Sequence, residues 1–347
     1  MTLATAFLSQ AQSCERMGSP FMGQLLRILA RQWPEQSALG QVCAQWPDED
    51  IGPYGASLPL RIAGGLHALV LTGRSADLTN VYPPTVVSDD VLATQVLAAL
   101  NAHQTFLMEW IKHAPQTNEV RRSAPLIAAG HWLAARFKLP FVTSELGASA
   151  GLNLMWDQYA LDTTAGRLGP EIAPLTLKPD WEGDIPGPAR VRVADRRGVD
   201  LNPIDSKKPD QALRLMAYLW PDQPQRAELT RAAIAVQDAV VDNDDAIDWL
   251  ERRLDTVPAD HLHLIYHTIA WQYFSPEISQ RGTRLIEAAG ARATGDRPLA
   301  WLALENDGKP GVEGAALTVK LWPRHHSLTL GRADFHGRWV RWSKAAT

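Results

Sequence analysis

The chain has 347 residues, of which 46% are hydrophobic and 21% are charged, and its formal net charge is −4 at pH 7. These proportions are typical of a globular protein, and the acidic balance supplies no general attraction to nucleic acid or to an anionic membrane. Its two cysteines, Cys14 and Cys43, are too few for a disulfide scaffold and favour a reducing compartment. The sequence has neither a signal-peptide pattern nor an apolar run of the about 18 residues that span a membrane. We therefore expect a cytoplasmic protein with no nucleic-acid or membrane partner.

The first part of the chain has the apolar periodicity of helices. Apolar residues recur at helical spacing over Phe21–Leu29 and Val91–Leu100, and Ser123–Phe137 follows the same pattern. The run Leu66–Leu71 is ambiguous, because a short apolar run fits either a helix or a strand. We predict that residues 1–137 form an all-helical region.

The pattern changes at Leu139-Pro140, after which short apolar runs alternate with helical stretches. The predicted strands are Phe141–Leu146, Arg190–Val199, His261–Tyr266, Leu299–Leu304, Ala316–Leu321 and Ala333–Trp342. The predicted helices are Gln211–Trp220, Arg226–Val240, Ala246–Leu254 and Pro276–Ala289. This alternation is typical of α/β proteins, and the last two strands are expected to form an antiparallel pair. We predict that residues 138–347 form one Rossmann-like α/β domain, with a mostly parallel sheet of about seven strands, an antiparallel edge and an insertion at Gly166–Gly187.

The segment Phe141–Leu154 reads FVTSELGASAGLNL and runs from a strand into a turn of small residues. Gly147 permits the positive φ of a tight turn, and Gly151 permits close packing of the strand on a helix predicted from Ala150. Glu145 offers a carboxylate at the end of the strand. Class I methyltransferases have a similar layout, in which an acidic residue and a Gly-x-Gly-x-Gly turn surround the methionine part of S-adenosylmethionine. A strand-to-helix turn with no ligand fits the same residues.

Ser149 stands where that pattern has its middle glycine, and it gives the turn a second interpretation. The spacing G-x-S-x-G is that of the nucleophile elbow of α/β-hydrolases, with Ser149 as the nucleophile. The base would be His325, His326 or His336. Three features argue against a hydrolase: the helical pattern upstream, the lack of an HGGG-type oxyanion loop, and the charged Glu145 just before the turn.

Two acidic residues later in the chain are further candidates for cofactor binding. Asp200 lies at the tip of the second strand, where a carboxylate in a nucleotide-binding sheet accepts hydrogen bonds from the ribose hydroxyls. Asp245 lies just before an amphipathic helix, in the position from which methyltransferases often bind the adenine amino group. Asp200 fits equally well as the cap of a turn, and Asp245 fits equally well as a helix N-cap.

His267 is the candidate catalytic residue. It is near the end of the alternating run His261–Thr268, at the edge of the sheet where open α/β sheets bind ligands. An imidazole titrates near neutral pH, so His267 is a candidate general base, although a simple hydrogen-bonded histidine is the alternative. His261 and His263 share a face of the strand, but no further ligands complete a metal site, so we predict none.

Two polar segments are candidates for substrate binding. The stretch Gln116–Arg122 supplies Asn118, Glu119 and Arg121 just before the helix that leads into the first strand. His325 lies between the two edge strands, where methyltransferases often carry substrate contacts. A solvated loop and a helix cap explain the first segment as well.

Four segments, ELGASAGLNL, QTNEVRR, RRGVDLNP and LWPDQ, resemble the bacterial family catalogued as domain of unknown function 2332. The resemblance extends from about Ser19 to Trp342. The core of this family in turn resembles class I methyltransferases, which implies a site for S-adenosylmethionine made by Glu145, Gly147, Ala148, Ser149, Gly151, Asn153, Asp200 and Asp245. We therefore expect a methyltransferase-like protein acting on a small-molecule acceptor. The alternatives are a serine esterase that uses Ser149 and a non-catalytic Rossmann-like ligand-binding protein.

Overall fold

The structure is a computed structural model that describes residues 1–47, 50–52 and 55–343. The chain divides into two compact units. The helical unit consists of the described residues of Met1–Thr117 together with Ser206–Glu228, and the sheet unit consists of Asn118–Asp205 and the described residues from Leu229 onward.

Helices make up most of the regular structure before residue 138. In chain order the α-helices are α1 (Leu3–Arg16), α2 (Pro20–Gln32), α3 (Ala38–Ala44), α4 (Leu58–Leu71), α5 (Ala76–Val81), α6 (Asp89–Ala102), α7 (Gln104–Ile111), α8 (Ser123–Phe137), α9 (Pro209–Ala217), α10 (Pro224–Val236), α11 (Ala246–Leu254) and α12 (Pro276–Ala291). The local sequence accounts for α2, since the Ser19 hydroxyl accepts the N–H of Met22 and Pro20 occupies the first turn. The ambiguous run Leu66–Leu71 belongs to α4.

The strands are β1 (Phe141–Leu146), β2 (Ala160–Thr163), β3 (Gly166–Leu168), β4 (Thr176–Leu177), β5 (Asp180–Glu182), β6 (Val193–Asp200), β7 (Val240–Asn243), β8 (Leu262–Thr268), β9 (Leu299–Glu305), β10 (Ala315–Trp322), β11 (His326–Ala333) and β12 (Trp339–Trp342). A sheet of nine strands has the order β5-β12-β11-β10-β9-β8-β1-β6-β7, and β3-β2-β4 form a small second sheet. Strands β7, β6, β1, β8 and β9 are mutually parallel, whereas the contacts from β9 through β12 are antiparallel. The prediction of a mixed α/β protein with amino-terminal helices and a mostly parallel sheet is confirmed.

Three details of the prediction were wrong. The large sheet has nine strands, because β5 from the predicted insertion joins it together with β7 and β11, neither of which was predicted; Val240, placed at the end of a predicted helix, begins β7. The expected direct pair of Ala316–Leu321 with Ala333–Trp342 does not form, since β11 lies between β10 and β12. The helix expected from Ala150 is a short 3-10 helix over Leu152–Gln158.

The strand order reverses next to β1, at the centre of the parallel part of the sheet. All six residues of β1 are buried, as expected for a parallel strand covered on both faces. From β1 the chain passes to β6 and then β7 on one side, and it returns to β8 on the other side of β1. The carboxyl ends of β1, β6, β7, β8 and β9 lie along one edge of the sheet, called the carboxyl edge below. Open α/β sheets bind ligands at this edge, where the strand order reverses.

Candidate functional site

The turn after β1 has the backbone conformation that its small residues allow. Gly147 and Gly151 both have φ of 72°, and Ser149 has φ of 54°. A Cβ at Gly147 would lie 2.5 Å from the Cβ of Ala270, so the turn is packed against the chain that follows β8. Gly147 is therefore required both by its positive φ and by this close approach.

Hydrogen bonds join the turn to the end of β6. The N–H groups of Gly147 and Ala148 both donate to the carbonyl of Val199, at 2.9 and 3.0 Å. The N–H of Ser149 donates to Oδ2 of Asp200 at 2.9 Å. The first amides of the turn thus have protein acceptors, and a carboxylate at the tip of β6 holds the centre of the turn.

Asp200 also fulfils its predicted role as a turn cap, because its Oδ1 accepts the N–H of Asn202 at 2.9 Å. Asp245 lies at the same edge and is the N-cap of α11, where its Oδ1 accepts the N–H groups of Ile247 and Asp248. The two acids lie on adjacent strand ends, since the N–H of Asp244 donates to the carbonyl of Asp200 at 3.2 Å.

Glu145 is 1% exposed at the end of β1. Burial raises the pKa of Glu145 well above its ordinary value, and the negative charge of Asp200 adds to this shift. The Tyr266 hydroxyl lies 3.4 Å from Oε2 of Glu145 and 3.1 Å from the carbonyl oxygen of Asn153. The neutral carboxyl form of Glu145 is therefore favoured in this structure.

The segment Asn118–Ser123 contacts the chain that leaves the turn. Oδ1 of Asn118 accepts the N–H of Leu152 at 2.8 Å. The side chain of Asn153 makes two hydrogen bonds. Its Nδ2 donates to the backbone carbonyl of Glu119, and its Oδ1 accepts the hydroxyl of Ser123 at 2.7 Å. The predicted substrate residues Asn118 and Glu119 are thus buried next to the predicted cofactor residue Asn153.

The same segment reaches the end of β8. Arg122 donates from Nη1 to the carbonyl of Thr268 and from Nε to that of Phe335. Arg121 pairs through Nε with the Glu119 carboxylate at 3.0 Å, while its Nη2 is buried with no hydrogen-bond partner among the described residues. The segment therefore joins the turn after β1 to the carboxyl edge at β8.

His267 has protein partners on both ring nitrogens. Its Nδ1 lies 2.7 Å from Oε1 of Glu305, and its Nε2 accepts the indole N–H of Trp301 at 3.0 Å. Its ring stacks on Trp271, with 4.8 Å between ring centroids and 23° between planes. His267 lies at the carboxyl edge as predicted, but a role as general base would require the Trp301 indole to release Nε2.

Sequence reasoning missed Glu305, which ends β9. Burial by itself would raise the pKa of Glu305, but the hydrogen bond from His267 and those from the N–H groups of Ala270 and Trp271 hold this pKa below its ordinary value. Its Oε2 is buried with no partner in the described chain. The signal was present in the sequence, because Glu305 directly follows the predicted strand Leu299–Leu304, just as Asp200 directly follows the predicted strand Arg190–Val199.

Ser149 is 5% exposed, and its hydroxyl has no hydrogen-bond partner within the described ranges. None of the histidines considered as its base is within hydrogen-bond distance of it. His325 follows β10, whose last residue Trp322 pairs with Leu299 at the start of β9. His325 therefore lies at the amino edge of the parallel strands, opposite the other candidate site residues.

Residues 4–342 match a family described as an uncharacterized protein conserved in bacteria, DUF2332. The chain belongs to this family. No curated protein and no solved structure matches it.

Beside the predicted site, the DUF2332 chain has an open cleft of about 520 Å³ between the β6–β7 edge and α11. Asn243 and Asp244, next to Asp245, line one part of it, and Arg197 and Trp249 line another. Its charges are paired, since Asp242 accepts Nε and Nη2 of Arg197 at 2.6 and 2.9 Å.

In the part of the chain that the structure describes, no group of three or more His, Cys, Asp or Glu residues is arranged to hold a metal ion. None of the described helices combines the length and apolar character needed to cross a membrane.

Proposed function

We propose that this DUF2332 chain binds S-adenosylmethionine at the carboxyl edge and transfers its methyl group to a small-molecule acceptor. One observation carries the proposal: three buried polar atoms without partners in the described chain, Ser149 Oγ, Glu305 Oε2 and Arg121 Nη2, are on segments at this edge. Buried polar groups are normally hydrogen-bonded, so three exceptions on segments at one edge of the sheet favour a ligand there. The strand order, with its reversal between β1 and β8, supports the same position.

The engaged amides of the turn favour this cofactor over a dinucleotide. A dinucleotide site presents free N–H groups at a helix start to a pyrophosphate. Here the N–H groups of Gly147, Ala148 and Ser149 are already used, and a short 3-10 helix follows. S-adenosylmethionine carries a sulfonium and an ammonium group and no phosphate. Carboxylates and carbonyls, such as those at Asp200 and Asp245, suit such a ligand better than amides do.

The bound cofactor would supply an electrophilic methyl group, and the chain would mainly position the acceptor for in-line attack. Asp200 would accept the ribose hydroxyls, and Asp245 would lie near the adenine beside the open cleft at Asn243. Ser149 Oγ would offer the turn's free hydrogen bond.

A second candidate is a non-catalytic member of the same binding class. It is favoured by His267, because Glu305 and Trp301 engage both of its ring nitrogens and leave neither of them free to act as a base. The serine esterase receives no such support, since a serine nucleophile needs a base within hydrogen-bond reach and Ser149 has no such partner among the residues described.

Calorimetric titration with S-adenosylmethionine and S-adenosylhomocysteine tests the proposal. We expect micromolar binding to the wild-type chain and at least tenfold weaker binding to Asp200→Asn and Ser149→Ala. Asp195→Asn, on the same strand but near its amino end, is the matched control and should bind like the wild type. No binding to a wild-type chain shown to be folded by circular dichroism would overturn the proposal.

Turnover separates the two candidates once binding is established. Methylation of any member of an acceptor panel would support the transferase, whereas binding with no turnover on any acceptor would support the non-catalytic protein. Labelling of Ser149 by a fluorophosphonate, lost in Ser149→Ala, would instead favour the esterase.

A further inference from the structure

Ile269, directly after β8, has an unfavourable backbone conformation. Its φ of 53° lies in the left-handed region, which a β-branched side chain occupies only under strain. Among the described residues it is the one β-branched residue with a positive φ. Burial does not explain the conformation, because Ile269 is only half-buried, whereas every residue of β8 before it is buried. Strained residues cluster at binding sites and switch regions, so a strained residue at the carboxyl edge indicates a functional segment.

Hydrogen bonds on both sides of Ile269 hold it in this conformation. Its own N–H donates to the carbonyl of Leu304 at 2.9 Å and so extends the pairing of β8 with β9. The next two N–H groups, of Ala270 and Trp271, both donate to Oε1 of Glu305, at 2.9 and 3.1 Å. The strand pairing and the carboxylate therefore fix the direction of the chain before and after Ile269, and the residue between them takes up the strain.

The Glu305 carboxylate is the part of this arrangement that depends on charge. Its Oε1 also lies 2.7 Å from Nδ1 of His267, so three nitrogens share one oxygen. A charged acceptor makes hydrogen bonds roughly twice as strong as a neutral one does. A neutral side chain at position 305 would therefore hold the two backbone N–H groups less firmly, and Ile269 could relax to a negative φ.

The segment also contacts the turn after β1. Ala270 is 8% exposed, and its Cβ would lie 2.5 Å from a Cβ placed on Gly147. A change of φ at Ile269 rotates the chain that follows it and moves Ala270 relative to Gly147. The conformation of Ile269 and the packing of the turn are therefore coupled.

We propose that Ile269–Trp271, called the strap below, is a two-state element that the Glu305 carboxylate holds in its strained conformation. In the latched state, which this structure shows, Ala270 packs against Gly147. In the released state Ile269 has a negative φ, and Ala270 moves away from the turn. Strain favours release and the hydrogen bonds to Glu305 oppose it, so a modest change at this carboxylate shifts the equilibrium. The strap goes beyond the proposed function, because it controls the packing of the turn whichever ligand binds there.

Amide hydrogen exchange of the full chain, resolved by residue with NMR, tests the latch, because local opening exposes backbone N–H groups to exchange. Glu305→Gln replaces the carboxylate by a neutral amide of the same shape. We expect the amides of Ala270 and Trp271 to exchange at least tenfold faster in this variant than in the wild type, and that of Gly147 to exchange faster as well. Glu251→Gln is the matched control, since its carboxylate pairs with the Arg281 side chain at the surface, and it should exchange like the wild type.

A second pair of variants tests the strain at Ile269 without changing Glu305. Asparagine tolerates the left-handed region, whereas valine keeps the β-branched side chain. We expect the amides of Ala270 and Trp271 to exchange at least threefold more slowly in Ile269→Asn than in Ile269→Val, and this comparison decides the matter if Glu305→Gln fails to fold. Equal exchange in these two variants, or unchanged exchange of the strap in a folded Glu305→Gln, would overturn the two-state strap. Faster exchange of the strap with no change at Gly147 would overturn its coupling to the turn.

Discussion

The indole N–H of Trp301 donates to Nε2 of His267 over 3.0 Å. An indole nitrogen only donates, so Nε2 must be the unprotonated nitrogen of a neutral imidazole. The proton then lies on Nδ1, which donates to Oε1 of Glu305 at 2.7 Å. Two neighbouring groups thus fix one tautomer of the histidine at the carboxyl edge.

Trp301→Phe should remove the hydrogen bond that favours the Nδ1-protonated tautomer of His267, while it keeps an aromatic ring in place. We expect the free energy of unfolding to fall by about 1 kcal/mol, because a hydrogen bond to a buried acceptor is lost. Nitrogen-15 NMR of the imidazole should show one tautomer in the wild type and a mixture in the variant. Trp181→Phe is the control, since its indole also donates over 3.0 Å, but at an exposed position. Equal tautomer mixtures in the wild type and in Trp301→Phe would contradict the assignment.

Glu145→Gln should make the stability of the sheet unit less sensitive to alkaline pH. The folded state raises the pKa of Glu145, so it holds a proton that the unfolded chain releases above about pH 4.3. Stability therefore falls as pH rises from that value towards the folded pKa, by up to about 1.4 kcal/mol per pH unit. The neutral amide of the variant removes this dependence.

Urea unfolding of the wild type and Glu145→Gln at pH 5, 7 and 8.5 measures the effect. The variant should gain stability relative to the wild type as the pH rises above 5, until the folded pKa of Glu145 is passed. A constant difference across the three values would show that Glu145 does not titrate in this range in either state.

Strong local patterns explain which parts of the fold the sequence predicts. The predicted strand Phe141–Leu146 is β1, and the predicted helix Ala246–Leu254 is α11, both at the predicted residues. By contrast, β11 has only two large apolar residues, Leu328 and Leu330, and its first half is mostly exposed. Its pairing with β10 makes it a strand, and that pairing is a long-range property that a local pattern does not contain.

The candidate site shows the same limit. The positions of Glu145 and Asp200 at strand ends follow from the sequence, because each ends an apolar or alternating run. The partners that engage the turn amides do not, since the Val199 carbonyl is 52 residues from Gly147 along the chain. Ser123 shows how such long-range contacts take priority over the local preference of serine for capping a helix. Its hydroxyl donates to Oδ1 of Asn153 and does not cap α8.

Gly147→Ala should destabilise the sheet unit by several kcal/mol. The substitution combines a positive φ of 72° with a Cβ 2.5 Å from that of Ala270, and each effect costs about 1–3 kcal/mol. Gly308→Ala is the matched control, because Gly308 has φ of 65° and a methyl group there would have no described atom within 4 Å. It should lose only the conformational part, about 1–2 kcal/mol. Urea unfolding of both variants separates the two contributions, and equal losses would show that the contact with Ala270 is relieved at no cost.

His263→Gln should make the protein more resistant to mild acid. His263 is 4% exposed, and its Nε2 lies 2.8 Å from the Ser144 hydroxyl. Burial, together with the charge of Arg253, lowers the pKa of His263 to about 3. Below about pH 6.5 the unfolded chain takes up a proton that the folded chain does not, so stability falls with pH until about pH 3.

The slope of this loss reaches about 1.4 kcal/mol per pH unit from the single histidine. Glutamine keeps an acceptor for Ser144 but does not titrate, so the variant should lose less stability between pH 7 and pH 4 in urea unfolding. His326→Gln, at an exposed position, is the control and should follow the wild type. Parallel pH profiles for the wild type and His263→Gln would mean that His263 is protonated in the folded state, and the Ser144 hydroxyl would then have to act as the acceptor of that proton.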